Sequence, residues 1–287
     1  MLWQIHRFHP DIIHYIHGPT IRSFLVTKAL ATISPMSATV MSAPRPQLSK
    51  WAERLVPLLK PDALLVQSKK ESERFSRLGC RVSFLPGGVS LDQFQPSDQQ
   101  NKVTLRRRHG LHEIRFLVLH VGQITSDRGV SLLADLKRAL GDQADFLIVG
   151  ARTIPPEPEL VRQLQESGCL LHLDYAQHIE EFYQMADCYI FPGLGQSPAI
   201  EIPLSVLEAM ACNLPVLTSP FGGLPDLYTE GDGFAFAASP GEFQAKLRAW
   251  LACPPPEVHT RQKVAVLSWE AIADRLSAHY QEVLDTR

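Results

Sequence analysis

One segment, residues 201–226, constrains the fold more than any other part of the sequence: EIPLSVLEAMACNLPVLTSPFGGLPD. Placed on a helix, residues 204–212 are apolar around almost the whole circumference, and only Ser205 and Glu208 interrupt that surface. A short apolar run over residues 215–218 follows at once and is typical of a buried strand. The segment therefore predicts a mostly buried helix, then a buried strand, then a Gly-Gly turn.

Glu208 is the unusual residue of this helix. Burying a carboxylate costs free energy unless hydrogen bonds compensate for the lost water. The vicinal hydroxyls of a ribose would donate such bonds, and the helix N-terminus, one turn earlier, would attract the attached diphosphate. Alternatively, Glu208 lies on a narrow solvated edge of a core helix. The pattern leaves both interpretations open.

The same segment resembles the donor-site signature of retaining GT-B glycosyltransferases of family 4. In that signature a Glu, seven residues and a second Glu precede Ala-Met-Ala and Gly-Leu-Pro-Val. Residues 208–212 (EAMAC) and 214–216 (LPV) fit it. Only six residues separate Glu201 from Glu208, however, and Asn213 stands where the family usually has Gly. Because Asn tolerates the left-handed conformation, the helix end is expected to be retained.

Composition places the chain among globular proteins. It has 287 residues, which suggests one large domain or two modest ones, and 45% of them are hydrophobic. Its longest apolar runs are too short to span a membrane, and the first residues lack the pattern of a signal peptide. The five cysteines are scattered and show no metal-ligand spacing. We therefore expect a cytoplasmic protein with reduced cysteines and no bound metal.

The charges are divided unevenly along the chain. Residues 1–100 contain 12 Lys and Arg against 7 Asp and Glu, whereas the remainder contains 16 against 23. A basic first part could contact an anionic membrane surface, which would make the protein peripheral on the inner face of the membrane, or a phosphorylated acceptor. Solvated helix faces are the simpler explanation. We expect no nucleic acid partner.

Strands and helices alternate along the whole chain. In the first part, strands are predicted over residues 11–17, 38–42, 63–68 and 82–85, and helices over 20–31, 48–59 and 68–79. In the second part, strands are predicted over residues 116–121, 146–149, 170–173, 188–191, 216–219 and 233–236, and helices over 129–140, 157–167, 179–186, 203–212 and 269–284. Apolar strands in this alternation predict parallel sheets covered by helices on both faces.

A polar, Pro-containing linker over residues 90–102 is the best domain boundary. We therefore predict an α/β fold with two Rossmann-like parallel-sheet domains, which the resemblance makes the GT-B type. Residues 1–98 form a partial first domain, which is the acceptor-side domain, and residues 99–267 form the donor domain. The resemblance implies that the last helix, within residues 268–287, crosses back to the first domain.

The ligand crevice of an open parallel sheet lies beyond the carboxyl ends of its strands. Gly122 and Gln123 follow one predicted strand, and Arg128 precedes the next helix. The resembled family has Gly-Arg and Lys-Gly at these places, where two cations clamp the donor diphosphate. Arg128 can replace Lys, but Gln123 supplies only hydrogen bonds. The alternative is that Arg128 is an ordinary exposed loop cation.

The resemblance also assigns roles at the start of the central helix. The backbone N–H groups of Leu204 and Ser205 would bind phosphate, while Glu201 would bind sugar hydroxyls. Pro203 has no N–H, so one donor is absent. Glu201 could instead be a plain surface loop residue.

A histidine at the end of the first strand completes the candidate site. In the family such a His faces the sugar from the other domain, and His17 is our candidate for orienting the reacting centre. His14 is the competing match, but it shares a strand face with Ile12 and Ile16, which indicates packing. A structural role for His17 remains the alternative.

The resemblance implies an enzyme of the hexosyltransferase type. It would move a sugar from a nucleotide diphosphate sugar to the hydroxyl of a sugar or lipid-linked acceptor, with retention, in glycan, glycolipid or cell-envelope polysaccharide synthesis. The donor would be a co-substrate, and no cofactor or metal is implied. Two alternatives stay open: a non-catalytic or half-enzyme subunit that needs a partner chain, and a sugar-nucleotide epimerase.

The resembled family begins with a strand and a Gly-rich turn that precede the first strand found here. The first sheet would then have an unpaired apolar edge, and such edges pair readily with other chains. We therefore expect either a truncated reading frame or a partner chain that covers this edge.

Overall fold

Parallel β-sheets form the framework of the protein. The computed structural model describes residues 5, 7–45, 47–150, 154–193 and 200–286. Within this part of the chain there are two sheets, one of four strands and one of six, and all strand pairs in them are parallel. The predicted α/β class is confirmed. The apolar residues at positions 2–9 also predict the tail of a helix, and residues 2–4 and 6 of this stretch lie outside the described residues.

The first sheet contains the first four strands in sequence order. These are β1 (Ile12–Tyr15), β2 (Ala38–Ala43), β3 (Ala63–Val66) and β4 (Val82–Phe84). Helices α1 (Ile21–Ile33), α2 (Lys50–Glu53), α3 (Val56–Leu59) and α4 (Lys69–Arg77) connect them. Two of these helices begin with side-chain caps, because the hydroxyl of Thr20 accepts from the N–H of Ser23 and that of Ser68 accepts from the N–H of Glu71.

The single helix predicted over residues 48–59 is wrong. Two short helices, α2 and α3, occupy this stretch instead. Pro57 lies in the first turn of α3, where its missing N–H costs nothing. Inside one continuous helix the same residue would remove a backbone hydrogen bond and clash with the preceding turn.

The second sheet has the strand order β10-β9-β8-β5-β6-β7. Its strands are β5 (Phe116–Gly122), β6 (Ala144–Gly150), β7 (Leu170–His172), β8 (Cys188–Phe191), β9 (Val216–Thr218) and β10 (Phe234–Phe236). Its helices are α5 (Gln99–Arg108), α6 (Ser131–Leu140), α7 (Pro158–Glu166), α8 (Ile179–Met185), α9 (Leu204–Ala211), α10 (Leu224–Leu227), α11 (Pro240–Ala252) and α12 (Thr260–Val264). The order reverses at β5, which pairs with β6 on one side and β8 on the other. This switch point opens a crevice beyond the carboxyl ends of both strands.

The last helix, α13 (Trp269–Asp285), packs against the first sheet. Val283 is buried with Val40 and Leu65, and the hydroxyl of Tyr280 lies 2.7 Å from Nδ1 of His14. The other imidazole nitrogen of His14 lies 2.8 Å from the hydroxyl of Ser42. The packing interpretation of His14 is therefore confirmed.

Helix α9 has the buried environment that the sequence predicts. Val206, Leu207 and Met210 are fully buried. Asn213 follows it with φ 56°, so the left-handed end expected for Asn is also confirmed. Helix α9 therefore begins at the switch point of the second sheet and ends in the hydrophobic core.

Candidate functional site

The carboxyl end of β5 carries the first group of candidate residues. Gly122 ends the strand, Gln123 follows it, and a short 3₁₀ turn over residues 126–128 ends in Arg128. One terminal nitrogen of Arg128 donates to Oε1 of Gln123 at 3.1 Å. Burial lowers the pKa of Arg128, and the charge of Arg45 adds to this effect. Arg128 is thus a half-buried guanidinium, so the alternative of an ordinary exposed loop cation is wrong.

Several polar atoms around this strand end lack hydrogen-bond partners. Among the described residues, Nε of Arg128, Oγ1 of Thr125 and Nε2 of His120 are buried with none. A buried polar atom without a partner costs free energy, so its presence in a native fold calls for a ligand or ordered water. Three such atoms fall within residues 120–128, so this end of the crevice has buried polar groups that a ligand or ordered water would satisfy.

His120 belongs to this group and was missed by the sequence analysis. Its Nδ1 lies 3.0 Å from the carbonyl oxygen of Ile190, and its ring stacks on Tyr189. Burial lowers its pKa to about 4, so the imidazole is neutral near pH 7. A Cβ on Gly122 would lie 3.1 Å from Nε2 of His120, so a glycine lets the strand end pass close to the ring.

Glu208 is held by a tyrosine. The hydroxyl of Tyr183, a fully buried residue of α8, donates to Oε2 of Glu208 at 2.6 Å. Burial raises the pKa of Glu208, and the hydrogen bond from Tyr183 opposes this rise. One carboxylate oxygen is therefore engaged within the protein. Glu208 is half-buried, so part of the group is accessible from the crevice.

The start of α9 is fixed by a second buried tyrosine. The hydroxyl of Tyr189 donates to Oγ of Ser205 at 2.7 Å, and it lies 3.3 Å from the carbonyl oxygen of Val121. These contacts hold the helix start beside the end of β5. The N–H groups of Leu204 and Ser205 belong to the first turn, which has no intrahelical acceptors for them. Among the described residues no acceptor pairs with them, which leaves them available to an anion.

Glu201 lies where the two sheets meet. Its N–H donates to the carbonyl oxygen of Pro44 at 2.9 Å, and its Oε2 accepts from the hydroxyl of Ser68 at 2.7 Å. Only 5% of the residue is exposed, so the alternative of a plain surface loop residue is wrong. Burial raises its pKa to about 7, although the hydrogen bond from Ser68 works in the opposite direction.

His17 lies apart from this group. It is exposed beyond the end of β1, and its ring packs edge-to-face on Tyr15 with the centroids 6.2 Å apart. Among the described residues, no hydrogen bond or ring contact joins His17 to Arg128 or Glu208. Burial raises the pKa of Tyr189, and the charges of Glu208 and Arg128 also act on it, so both residues lie near this tyrosine and its partner Ser205. Among the described residues, His17 shares none of these contacts.

Within the described ranges, no three His, Cys, Asp or Glu side chains come together in a way that could hold a metal ion. In the same part of the chain, no helix is both long and apolar enough to cross a membrane.

Comparisons with known proteins identify related sequences and folds. Residues 115–253 match the family model described as "Glycosyl transferases group 1". A D-inositol 3-phosphate glycosyltransferase of Geodermatophilus obscurus is 28% identical over 274 residues, which cover 88% of this chain and 59% of that protein. A putative teichuronic acid biosynthesis glycosyltransferase of Bacillus subtilis is 25% identical over 166 residues, or 58% of this chain and 40% of that protein. The chain therefore spans well under two thirds of the length of these relatives.

Solved structures match almost the whole chain. A sucrose-phosphate synthase from Thermosynechococcus elongatus gives a TM-score of 0.82 at 19% identity, over 99% of this chain and 76% of that one. HepE of Anabaena, solved in complex with UDP, gives a TM-score of 0.81 at 16% identity, over 98% of this chain and 80% of that one. At such low identity these matches establish the fold.

Proposed function

We propose that this chain, whose two parallel sheets have the GT-B fold of glycosyltransferases, transfers a sugar from a nucleotide diphosphate sugar to an acceptor hydroxyl. The observation that carries the proposal is the convergence of Arg128, the start of α9 and Glu208 at the switch point of the second sheet. A cation, free N–H groups and a carboxylate are the groups that a diphosphate and a ribose require.

In this proposal the donor lies along α9. Glu208 accepts from the ribose hydroxyls with the oxygen that Tyr183 leaves free. The diphosphate lies at the N–H groups of Leu204 and Ser205 and against Arg128. The unpartnered Nε of Arg128 and the nearby unpartnered atoms of His120 and Thr125 support this placement. HepE of Anabaena, which shares the fold, was solved with UDP-glucose as well as with UDP.

The chemical step is a displacement with retention, without a metal. The acceptor oxygen bonds to the anomeric carbon on the face from which the diphosphate departs. The acceptor proton passes to an oxygen of the leaving diphosphate, which takes the electron pair of the broken C–O bond. Negative charge grows on the diphosphate as this bond breaks, and Arg128 stabilises it.

Two residues from the sequence analysis keep proposed roles. Glu201 would accept from sugar hydroxyls with the carboxylate oxygen that Ser68 does not occupy. His17 would orient the reacting centre, although its exposed position beyond β1 gives this role less support. Both roles require contacts that form only with substrate present.

The acceptor would be a sugar or a lipid-linked sugar bound on the side of the first sheet. We also propose peripheral membrane contact there, because α2 and α3 expose Trp51 by 63% and Leu58 by 71% beside the exposed cations Lys50 and Arg54. Strand β1 lies at an edge of its sheet among the described strands. A partner chain at this edge remains part of the proposal.

A donor panel tests the function. Thermal unfolding is followed with UDP, GDP, ADP and their sugars, and released nucleoside diphosphate is then measured with and without acceptor. We expect one nucleoside diphosphate to raise the midpoint and its sugar to be hydrolysed slowly without acceptor. Conversion of the free donor to another sugar nucleotide would indicate an epimerase. Binding without release would indicate a half-enzyme, and no shift with any nucleotide would refute the donor site.

A further inference from the structure

Arg45 lies directly beside the candidate donor site, although it belongs to the first sheet. It follows Pro44 in the loop after β2, and the carbonyl oxygen of Pro44 accepts from the N–H of Glu201 at 2.9 Å. This backbone bond ties the loop to the segment that leads into α9. The side chain of Arg45 is exposed, and it forms no ion pair or side-chain hydrogen bond with the described residues.

Arg45 also lies near Arg128 of the second sheet. The two residues are close enough that the charge of Arg45 contributes to the lowered pKa of Arg128, behind the larger effect of burial. Two like charges that lie near each other repel. An anion between them attracts both cations and offsets this repulsion. Arg128 keeps its Nε unpartnered in this position.

The position after Gly122 does not supply a cation to the candidate diphosphate site. Gln123 carries no charge, and its Oε1 is engaged by Arg128. Among the described residues of the candidate site, Arg128 is therefore the side-chain cation that the second sheet offers to a diphosphate leaving with a growing negative charge. Arg45 is a cation of the first sheet whose charge acts on Arg128.

We propose that Arg45 binds the diphosphate of the donor from the side of the first sheet and supplies the second cation that Gln123 does not. This inference rests on the proposed function. The shared chemistry is a phosphate group held between two guanidinium groups, and the phosphate could belong to the donor or to a phosphorylated acceptor. The proposal assigns it to the donor.

Binding of nucleotides without acceptor tests this assignment. The affinities of the wild type for UDP, GDP or ADP, for the matching monophosphate and for the nucleoside are measured by calorimetry at one ionic strength. We expect Arg45→Ala to weaken binding of the diphosphate about 10-fold, as for one charge-assisted hydrogen bond, and to leave nucleoside affinity unchanged. Arg77→Ala, which removes an exposed arginine on α4 of the same domain, should change neither.

A compensating variant separates binding from a structural role. Gln123→Arg provides a cation from the second sheet, so in the Arg45→Ala background it should restore most of the lost diphosphate affinity. A structural role for Arg45 would not be rescued in this way. Arg45→Lys should retain part of the affinity, which keeps the test valid if the alanine variant folds poorly.

Several results would overturn the proposal. Unchanged diphosphate affinity in Arg45→Ala, with a loss seen only for a phosphorylated acceptor such as inositol phosphate, would move the phosphate to the acceptor. An equal loss for the nucleoside, or no rescue by Gln123→Arg, would make Arg45 structural. If the wild type binds no nucleotide at all, the proposed function fails together with this inference, whereas normal wild-type binding with an unaffected variant refutes the inference alone.

Discussion

The contact between Glu208 and the donor ribose can be tested by changing one atom. In Glu208→Gln, Tyr183 still donates to the side-chain oxygen, because an amide keeps one acceptor. The amide NH₂ then faces the crevice, where the wild type presents a carboxylate oxygen. The variant therefore loses an acceptor toward the ligand while its packing inside the protein stays nearly the same.

The expected cost follows from this geometry. One hydrogen bond between a ribose hydroxyl and a charged oxygen is lost, and such a bond contributes about 2 kcal/mol. Affinity for the nucleoside diphosphate should therefore fall by about 30-fold. The fall should be the same for UDP and its sugar, because neither the base nor the sugar contacts Glu208 in the proposed pose.

The assay compares a nucleotide that carries ribose with one that carries 2′,3′-dideoxyribose. Calorimetry gives the affinity of wild type and Glu208→Gln for the preferred nucleoside diphosphate and for its 2′,3′-dideoxy form. If Glu208 binds the ribose hydroxyls, the dideoxy form should bind both proteins about equally, so that the two losses do not add. Glu166→Gln, an exposed glutamate on α7, serves as the matched control.

The pH dependence provides an independent check. Burial raises the pKa of Glu208, so the carboxylate is protonated, and the affinity falls, as the pH decreases through this raised pKa. Tyr183→Phe removes the hydrogen bond that opposes the rise, and the loss of affinity should then begin at a higher pH. Fully additive losses for the variant and the dideoxy ligand, or unchanged affinity of Glu208→Gln for every nucleotide, would refute the ribose contact.

Three further changes have defined outcomes. Arg128→Ala should lower the turnover rate by about 10²–10³, the usual effect of removing one group that stabilises developing charge, and a near-normal rate would show that the leaving group is held elsewhere. Burial raises the pKa of Glu201 to about 7, so the contribution of this residue to the free energy of unfolding should decrease as the pH rises from about 5 to about 8. Glu201→Gln should reduce this dependence by about 1–3 kcal/mol in denaturant titrations, and an identical pH profile would contradict the assignment. Arg106→Ala should lower the free energy of unfolding by about 3–5 kcal/mol, because it leaves buried acceptors unpaired, whereas Arg107→Ala on the exposed face should change it little.

Local patterns in the sequence were enough to predict most of the strands. Strands such as β5 and β8 are short apolar runs, and a buried parallel strand needs only such a run between turns. Helix starts at Thr20 and Ser68 were also predictable, because a capping hydroxyl acts within three residues of its own position. These features depend on neighbours in sequence.

Helices α5 and α11 were not predicted, although α11, unlike α5, carries a clear signal in the sequence. Most residues of α5 are polar, and its inner face is held partly by Arg106, which donates to the carbonyl oxygen of Met185 and pairs with Asp187. A helix whose buried face carries an arginine lacks part of the apolar periodicity from which buried helices are predicted. Helix α11 did carry a local signal, since Ser239 caps the N–H of Glu242 and Pro240 occupies the first turn.

The site was predictable only in part. A motif indicated Arg128 and Glu208, but the tyrosines that hold the site, Tyr183 and Tyr189, come from other elements of the second sheet. Their contacts depend on β8 lying beside β5, and strand order is a property of the whole chain. His120 had a weak signal, because a histidine inside a buried strand must find partners or a ligand.

The segment that constrains the fold also joins the two sheets. The N–H of Lys69 at the start of α4 donates to Asp226 at 2.7 Å, and the hydroxyl of Ser68 donates to Glu201. A Cβ on Gly223 would overlap the carbonyl oxygen of Gln67, so the two backbones meet at a distance that only glycine permits. Moving the first sheet away would break these bonds together and release the loop that leads into α9. The geometry of the candidate donor site therefore depends on the first sheet, even though Arg128 and Glu208 belong to the second.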